Sequence, residues 1–237
     1  MAKVVIFSGA GISAESGLST FRDADGLWEK YRIEEICQAG CLSWNREDTL
    51  TFYDARREQL SSVTPNAAHH AIAQLQERYP EDIAIITQNV DDLFERAGCK
   101  EVLHLHGFLP RLRCEKCAAT ELIGYAKQDR TFTCKKCNGS FRPDIVFFGE
   151  PAPMYEKLYD AMQGCEFLAI IGSSGNVVAM DHFALHVKHS ILNNLEKSDA
   201  INERVYSKVL YKKATEAVDE IVRDVERFFN RENMGEI

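Results

Sequence analysis

Four cysteines constrain this chain more than any other feature: Cys114 with Cys117, then Cys134 with Cys137, give the spacing C-x2-C-x16-C-x2-C. Each pair suits a tight knuckle that presents two thiolates from one side, and two such knuckles make a tetrahedral four-sulfur site for zinc. A closed set of four thiolates leaves no position open for water, so the ion is expected to be structural. Lys116, Lys135 and Lys136 lie beside the ligands and would offset their negative charge. A redox dithiol is the competing reading of a single C-x-x-C, and two pairs at ribbon spacing weigh against it. Cys37, Cys41, Cys99 and Cys165 have no such pairing and are expected to be buried or free thiols, as in a reducing compartment.

The rest of the chain alternates short apolar runs with helical patterns, the signature of a parallel sheet covered by helices. The fold class is therefore α/β. Strands are expected at Val4–Ser8, Ile83–Thr87, Phe167–Gly172, Ser190–Leu195 and Val205–Tyr211. A final helix is marked by Val218, Ile221, Val222, Val225, Phe228 and Phe229 at spacings of three and four, and should cover the sheet. Two stretches break the alternation, a helical one within 28–62 and the cysteine-bearing 107–148. They are assigned to a small domain inserted into a large one made of 1–27, 63–106 and 149–237. At 237 residues, 45% of them hydrophobic, the chain is long enough for one sizeable core plus such a module.

Charge and hydropathy narrow the partners. A formal net charge of -8 argues against an electrostatic grip on nucleic acid. The run Val4-Val5-Ile6-Phe7 stops at Ser8-Gly9, and no run approaches the roughly 18 apolar residues of a membrane helix. A soluble, cytoplasmic protein without membrane contact is the expectation, and a monomer is the working assumption.

After the first strand comes Gly9-Ala10-Gly11-Ile12-Ser13-Ala14, a G-x-G-x-x-A turn whose small residues let backbone N–H groups approach a pyrophosphate at a helix N-terminus. Glycine turns after strands also serve tight packing alone. An ordinary dehydrogenase would carry an acidic residue at the end of a second strand about 20 residues on. Here that region reads Phe21-Arg22-Asp23-Ala24-Asp25-Gly26-Leu27-Trp28, which is no strand, so hydride transfer is disfavoured. A later acidic candidate is Glu196, after Asn193-Asn194-Leu195, which could accept from ribose hydroxyls or be only a surface carboxylate.

The ordered set Gly9 to Gly17, Phe21-Arg22, Thr87-Gln88-Asn89-Val90-Asp91, Leu105-His106-Gly107, the four zinc cysteines and Gly172-Ser173-Ser174 strongly resembles the sirtuin family. The resemblance runs from Val4 to about Ala214. It implies a Rossmann-like NAD domain with an inserted helical and zinc-binding small domain, and a cleft between them where NAD and an acyl-lysine meet. It also implies the site residues. Gly9, Ala10, Gly11 and Glu15 belong to the dinucleotide loop, Phe21 and Arg22 to a loop over the nicotinamide ribose, and Gln88, Asn89 and Asp91 to the ribose and nicotinamide pocket. Gly172, Ser173 and Ser174 belong to a phosphate-binding turn, with Asn194 and Glu196 near the adenosine ribose and Ala214 near the adenine.

His106 matches the family's catalytic histidine, and imidazole titrates near neutral pH and suits proton removal from a ribose hydroxyl. Outside that context a histidine between Leu105 and Gly107 reads as a structural core residue. His69 and His70 sit in a helical pattern and are read as structural, and His104 is left unassigned. The implied reaction consumes NAD: the acyl oxygen attacks the anomeric carbon, nicotinamide leaves, and His106 activates the ribose hydroxyls toward the resulting imidate. The products are lysine, nicotinamide and 2′-O-acyl-ADP-ribose. Zinc takes no part.

Tyr53 and Arg56 stand three apart and so share one helix face. A phenol and a guanidinium there would grip a carboxylate, arginine in bidentate geometry. This Y-x-x-R is similar to the signature of the sirtuin class that prefers succinyl-lysine and malonyl-lysine. The competing reading is a solvated face, which Arg57 and Glu58 next door would suit. One departure from the family pattern follows Gly172-Ser173-Ser174, where Gly175-Asn176-Val177-Val178-Ala179-Met180 stands in place of a common Pro-Ala pair, and Asp181 and His182 stand in place of small residues. Two rival functions remain open: an NAD-dependent ADP-ribosyltransferase, and a non-catalytic NAD sensor or zinc-ribbon interaction module.

Overall fold

The computed structural model describes residues 1–18 and 32–233. Phe21 and Arg22, and the start of the proposed small domain, lie outside these. In chain order the elements are β1 Val4–Ser8, α1 Gly11–Ala14, α2 Ile33–Ile36, α3 Cys41–Trp44, α4 Arg46–Ser62, α5 Ala67–Arg78, β2 Ile83–Thr87, α6 Leu93–Ala97, β3 Leu103–His104, β4 Gly107–Cys114, β5 Thr120–Leu122, β6 Phe141–Ile145, α7 Tyr155–Met162, β7 Phe167–Ile171, α8 Asp181–Ala184, β8 His189–Asn194, β9 Lys208–Tyr211 and α9 Ala214–Asn233.

Six strands form one sheet in the order β3-β2-β1-β7-β8-β9, every pair parallel. The run Val4-Val5-Ile6-Phe7 is buried on both faces, which is why it reads as a continuous apolar stretch and not as an alternation. Val4 pairs with Ile83 on one side and Phe167 on the other. The chain builds outward from β1 in one direction through β2 and β3, then returns to β7 and builds in the other. The topological switch point therefore lies between β1 and β7, and in open parallel sheets the crevice outside the carboxyl ends at that point is where ligands sit.

Helices cover both faces. On one, Ile72 and Leu75 of α5 and Val218, Ile221, Val225, Phe228 and Phe229 of α9 pack on Ile6, Ile85 and Ala169. Each of those large side chains contributes about 1.5–3 kcal/mol of gross burial energy. On the other, Leu158 and Met162 of α7 join Val178, Met180 and Ala184 against Val5, Phe7 and Leu168. The departure after Ser174 is thus absorbed by the core: Val178 and Met180 are buried, and the Asp181 carboxylate accepts from Asn202 N at 2.7 Å and Tyr206 Oη at 2.8 Å.

The expected strands differ from the observed ones at three places. The third stops at Ile171, because Gly172 turns to φ +65°. The fourth is shifted by one residue. The fifth starts at Lys208, because Glu203–Val205 forms a 3-10 turn capped by the Asn202 side chain. The two-residue edge strand Leu103–His104 is too short to leave a periodic signal.

A second, antiparallel sheet of order β5-β4-β6 carries the cysteines. Leu112, Cys114, Cys134 and Phe141 form its small core. A separate cluster joins the helices α2 to α4 to this sheet through Ile36, Phe52, Tyr53, Leu109, Ile145 and Phe147. Among the described residues no helix is long and apolar enough to cross a membrane.

Candidate active site

Two loops meet at the switch point. Gly9 N donates to Ile171 O at 3.0 Å and Gly11 N to Gly172 O at 2.9 Å, while Gly172 N donates to Asn193 O at 2.8 Å. A Cβ on Gly9 would stand 2.6 Å from Gly172 O, and one on Gly172 would stand 2.5 Å from Ile12 N. The glycines thus let two backbones touch, a task that the sequence pattern alone did not separate from ligand approach. Ser173, fully inside, accepts at Oγ from Gln88 Nε2 at 2.8 Å. Ser174 is half-buried, with its carbonyl accepting from Ser198 Oγ at 2.6 Å. Asn194, at the end of β8, is buried and donates to Ser173 O at 2.8 Å. Glu196 is exposed two residues further on.

Glu15 has an occupation that the motif did not announce. Its carboxylate accepts from Thr215 N at 3.1 Å and Thr215 Oγ1 at 2.8 Å, tying the glycine loop to the first turn of α9. The acidic side chain there also suits the positive end of that helix. Ala214, the first residue of α9, is buried.

The segment after β2 supplies the second wall. Gln88 N continues the sheet by donating to Ser8 O at 2.9 Å. Asn89 Nδ2 donates to Ser13 Oγ at 3.1 Å, and Ser13 Oγ donates to Asp91 Oδ2 at 3.0 Å. Burial pushes the Asp91 carboxyl up from its ordinary range, against the opposing bonds from Leu93 N and Ser13. Ser13 and His104 are the members that sequence reasoning did not single out. His104 pairs with Asn89 O at 2.8 Å and Glu95 Oε1 at 2.7 Å. Burial opposes its charge, but the Glu95 carboxylate outweighs that and raises its pKa.

His106 stands in the two-residue link between the two sheets. Leu105 N donates to Thr87 O at 2.9 Å in the large sheet, and the His106 carbonyl accepts from Val146 N at 2.9 Å beside the small one. The next residue, Gly107, has φ +96°, and a Cβ there would lie 2.0 Å from Asp144 O, so only glycine fits. The imidazole Nδ1 is 3.1 Å from Gln88 O. A carbonyl only accepts, so Nδ1 carries the proton and Nε2 carries the lone pair. Burial lowers the His106 pKa, partly offset by the Gln88 carbonyl, which keeps the ring neutral and basic near pH 7.

On the side of the small sheet, Tyr53 in α4 is buried, stacked on Phe147 at 5.6 Å between centroids and set edge-on to Phe52. Its hydroxyl lies 3.3 Å from Cys37 Sγ. Arg56 is half-buried on the same face and donates to Gln59 Oε1 at 2.8 Å; burial lowers its pKa, opposed by Asp91, Tyr53 and Cys37 within electrostatic reach. The expectation that Arg57 suits a solvated face is overturned. Arg57 is fully buried, pairs with Asp54 at 2.5 Å and donates to Ala126 O at 3.1 Å, clamping α4 to the cysteine module. Of Arg57 and Glu58, it is Glu58 that faces water.

The four cysteine sulfurs fit one zinc ion. Cys114 to Cys137, Cys117 to Cys134 and Cys117 to Cys137 are 3.4, 3.6 and 3.4 Å apart, and all four lie within 4.8 Å of one another. Zinc–sulfur bonds of about 2.3 Å in a tetrahedron require edges of about 3.8 Å. The two knuckles are alike: Ala118 N donates to Cys114 O and Asn138 N to Cys134 O, with φ of 55° and 54° at Ala118 and Asn138. The other four cysteines are buried thiols, as expected.

Comparison with known proteins agrees with this geometry. The Sir2 family model matches residues 9–179. A protein of Campylobacter jejuni strain RM1221 described as an NAD-dependent protein deacylase is 48% identical over 99% of this chain and all of its own length. A solved Sir2 homologue in complex with NAD superposes with a TM-score of 0.82 at 34% identity, covering 94% of this chain and 89% of the other. A mutant Sir2 homologue solved with 2′-O-acetyl-ADP-ribose gives 0.81 at 35% identity, covering 94% and 92%.

Proposed function

From the premise that the chain belongs to the Sir2 family, we propose that it is an NAD-dependent protein-lysine deacylase that removes succinyl and malonyl groups in preference to acetyl. The observation that carries the reaction is His106. Its Nδ1 proton is committed to Gln88 O, so Nε2 is the basic atom of the ring. Gln88, Asn89 and Asp91 are joined to the glycine loop through Ser13 and to the Gly172 turn through Ser173, which gives an NAD molecule one connected polar wall. NAD is consumed as a co-substrate and carries its own leaving group. Zinc holds the small sheet and stays outside the chemistry.

The acyl preference rests on α4. Tyr53 and Arg56 share a face, and the guanidinium is held where desolvation penalises its charge. A carboxylate delivered to such a cation recovers that penalty, whereas a methyl group does not. The Asp91 carboxyl lies within electrostatic reach of that cation, which supports reading Arg56 as part of the same site.

Matched peptides bearing acetyl-, malonyl- and succinyl-lysine, incubated with NAD and read by mass spectrometry, test both levels. The expected result is 2′-O-acyl-ADP-ribose from all three, fastest from the acidic acyl groups, and none from His106→Ala. ADP-ribose transferred to protein with acyl groups left in place would replace the deacylase reading by a transferase. Faster acetyl removal would sink only the acyl preference.

A further inference from the structure

One contact of His106 is not used by the reaction just proposed. The Tyr155 hydroxyl lies 3.0 Å from His106 Nε2. Because Nδ1 is the protonated nitrogen, Nε2 is an acceptor, and the phenol must be the donor. Burial raises the Tyr155 pKa, so its proton is in place at neutral pH. Neutral imidazole has a single in-plane lone pair at that nitrogen. While Tyr155 donates into it, no ribose hydroxyl can.

Tyr155 is well placed to let go. It opens α7, whose N-terminus has no side-chain cap, and the seven-residue approach from Phe148 includes Pro151 and Pro153. Its ring is half-buried at the margin of the cluster formed by Leu158 and Met162, so withdrawal of the hydroxyl leaves that cluster in place. The ring planes of His106 and Tyr155 are tilted by 48° with centroids 6.0 Å apart, so the two rings are not stacked.

We propose that Tyr155 is a positioning residue that caps the basic nitrogen of His106 and must yield it before a ribose hydroxyl can be deprotonated. This rests on the reading of His106 as the general base. The proton balance is simple: the phenol keeps its proton throughout, moves it from Nε2 to another acceptor, and the vacated lone pair takes the ribose proton. Tyr155 selects the Nδ1-protonated tautomer together with Gln88, and it withholds the base until the co-substrate competes for it.

The test uses Tyr155→Phe in the full-length, zinc-loaded protein, with two readouts. In the free protein, the 15N resonance of His106 Nε2 is expected to move toward the value of an imine nitrogen without a donor, with Nδ1 still protonated. An unmoved Nε2 signal overturns the cap. In the second, ADP-ribose affinity by calorimetry is expected to tighten about 5-fold, the equivalent of one hydrogen bond no longer displaced. Unchanged or weaker affinity with an unchanged melting temperature also overturns the cap, because it makes Tyr155 a ligand contact or a bystander. If the parent protein neither binds ADP-ribose nor consumes NAD, the functional reading fails while the nitrogen shift still decides the contact.

Discussion

Replacing Gly172 with alanine isolates the most demanding feature of the site. Gly172 has φ +65°, and placing a side chain in that region costs about 1–2 kcal/mol. Its Cβ would also stand 2.5 Å from Ile12 N and 2.6 Å from Gly11 Cα and C, backbone atoms that no rotamer change can remove. Restoring ordinary contact at about 3.4 Å requires the two loops to part by about 0.9 Å. That stretches the 2.9 Å bond from Gly11 N to Gly172 O beyond use, a further loss of about 1 kcal/mol. The sum is about 2–3 kcal/mol, or about 4–12 °C in melting temperature for a chain of this length. The same opening moves Gly9 away from Ser173, and ADP-ribose should bind about 10-fold more weakly or worse.

Gly124→Ala is the control. Gly124 has φ +60°, but a Cβ there meets nothing within 4 Å, so only the backbone term applies. Thermal melts of both variants, with calorimetric titration of ADP-ribose, give the comparison. If Gly172→Ala melts with Gly124→Ala and binds ADP-ribose like the parent, the loops are not interlocked and the reasoning fails.

Chelation of zinc should release the small sheet selectively, since its core is little more than Leu112, Phe141 and the ligands themselves. Hydrogen exchange should then rise across Gly107–Ile145 while Val4–Ser8 and Phe167–Ile171 stay protected; uniform exchange would refute it. The same treatment should expose four thiols to an alkylating agent, while Cys99 and Cys165, whose buried thiols are pushed up to about 12, stay unmodified until the protein unfolds. Stability should also decline with acid through His69. Burial lowers its pKa to about 3 from 6.5, so the unfolded chain gains a proton that the folded one refuses, and stability falls as pH drops through that window by up to ~1.4 kcal/mol per unit. His69→Asn should flatten that slope in denaturant titrations at pH 7, 6 and 5, and parallel slopes would contradict the assignment. Arg57→Ala should destabilise by about 3–5 kcal/mol by orphaning part of the Asp54 pair, and a change under 1 kcal/mol in urea unfolding would show the clamp to be dispensable.

Much of this was legible in the residues themselves. Continuous apolar runs such as Val4-Val5-Ile6-Phe7 announce strands buried on both faces, and the three- and four-residue spacing of Val218 to Phe229 announces a covering helix, because both periods follow from local geometry. The cysteine spacing announces its own tetrahedron, since each knuckle is closed by residues a few positions apart. Tyr53 and Arg56 could be placed on one face for the same reason.

What the tertiary structure decided are contacts between residues far apart in the chain. Sequence placed Arg57 among solvated neighbours, but its partners Leu109 in β4 and Ala126 in the loop after β5 lie more than fifty residues on and bury it. Gly9 and Gly11 read as an approach for phosphate, yet their first requirement is the backbone at Gly172. Glu15 meets Thr215 two hundred residues on, and His106 meets Tyr155 49 residues on. Periodicity and spacing are set by bonds along the chain, so they survive in a one-dimensional record. Which nitrogen of a histidine carries the lone pair, and what stands in front of it, depends on packing that no local pattern encodes.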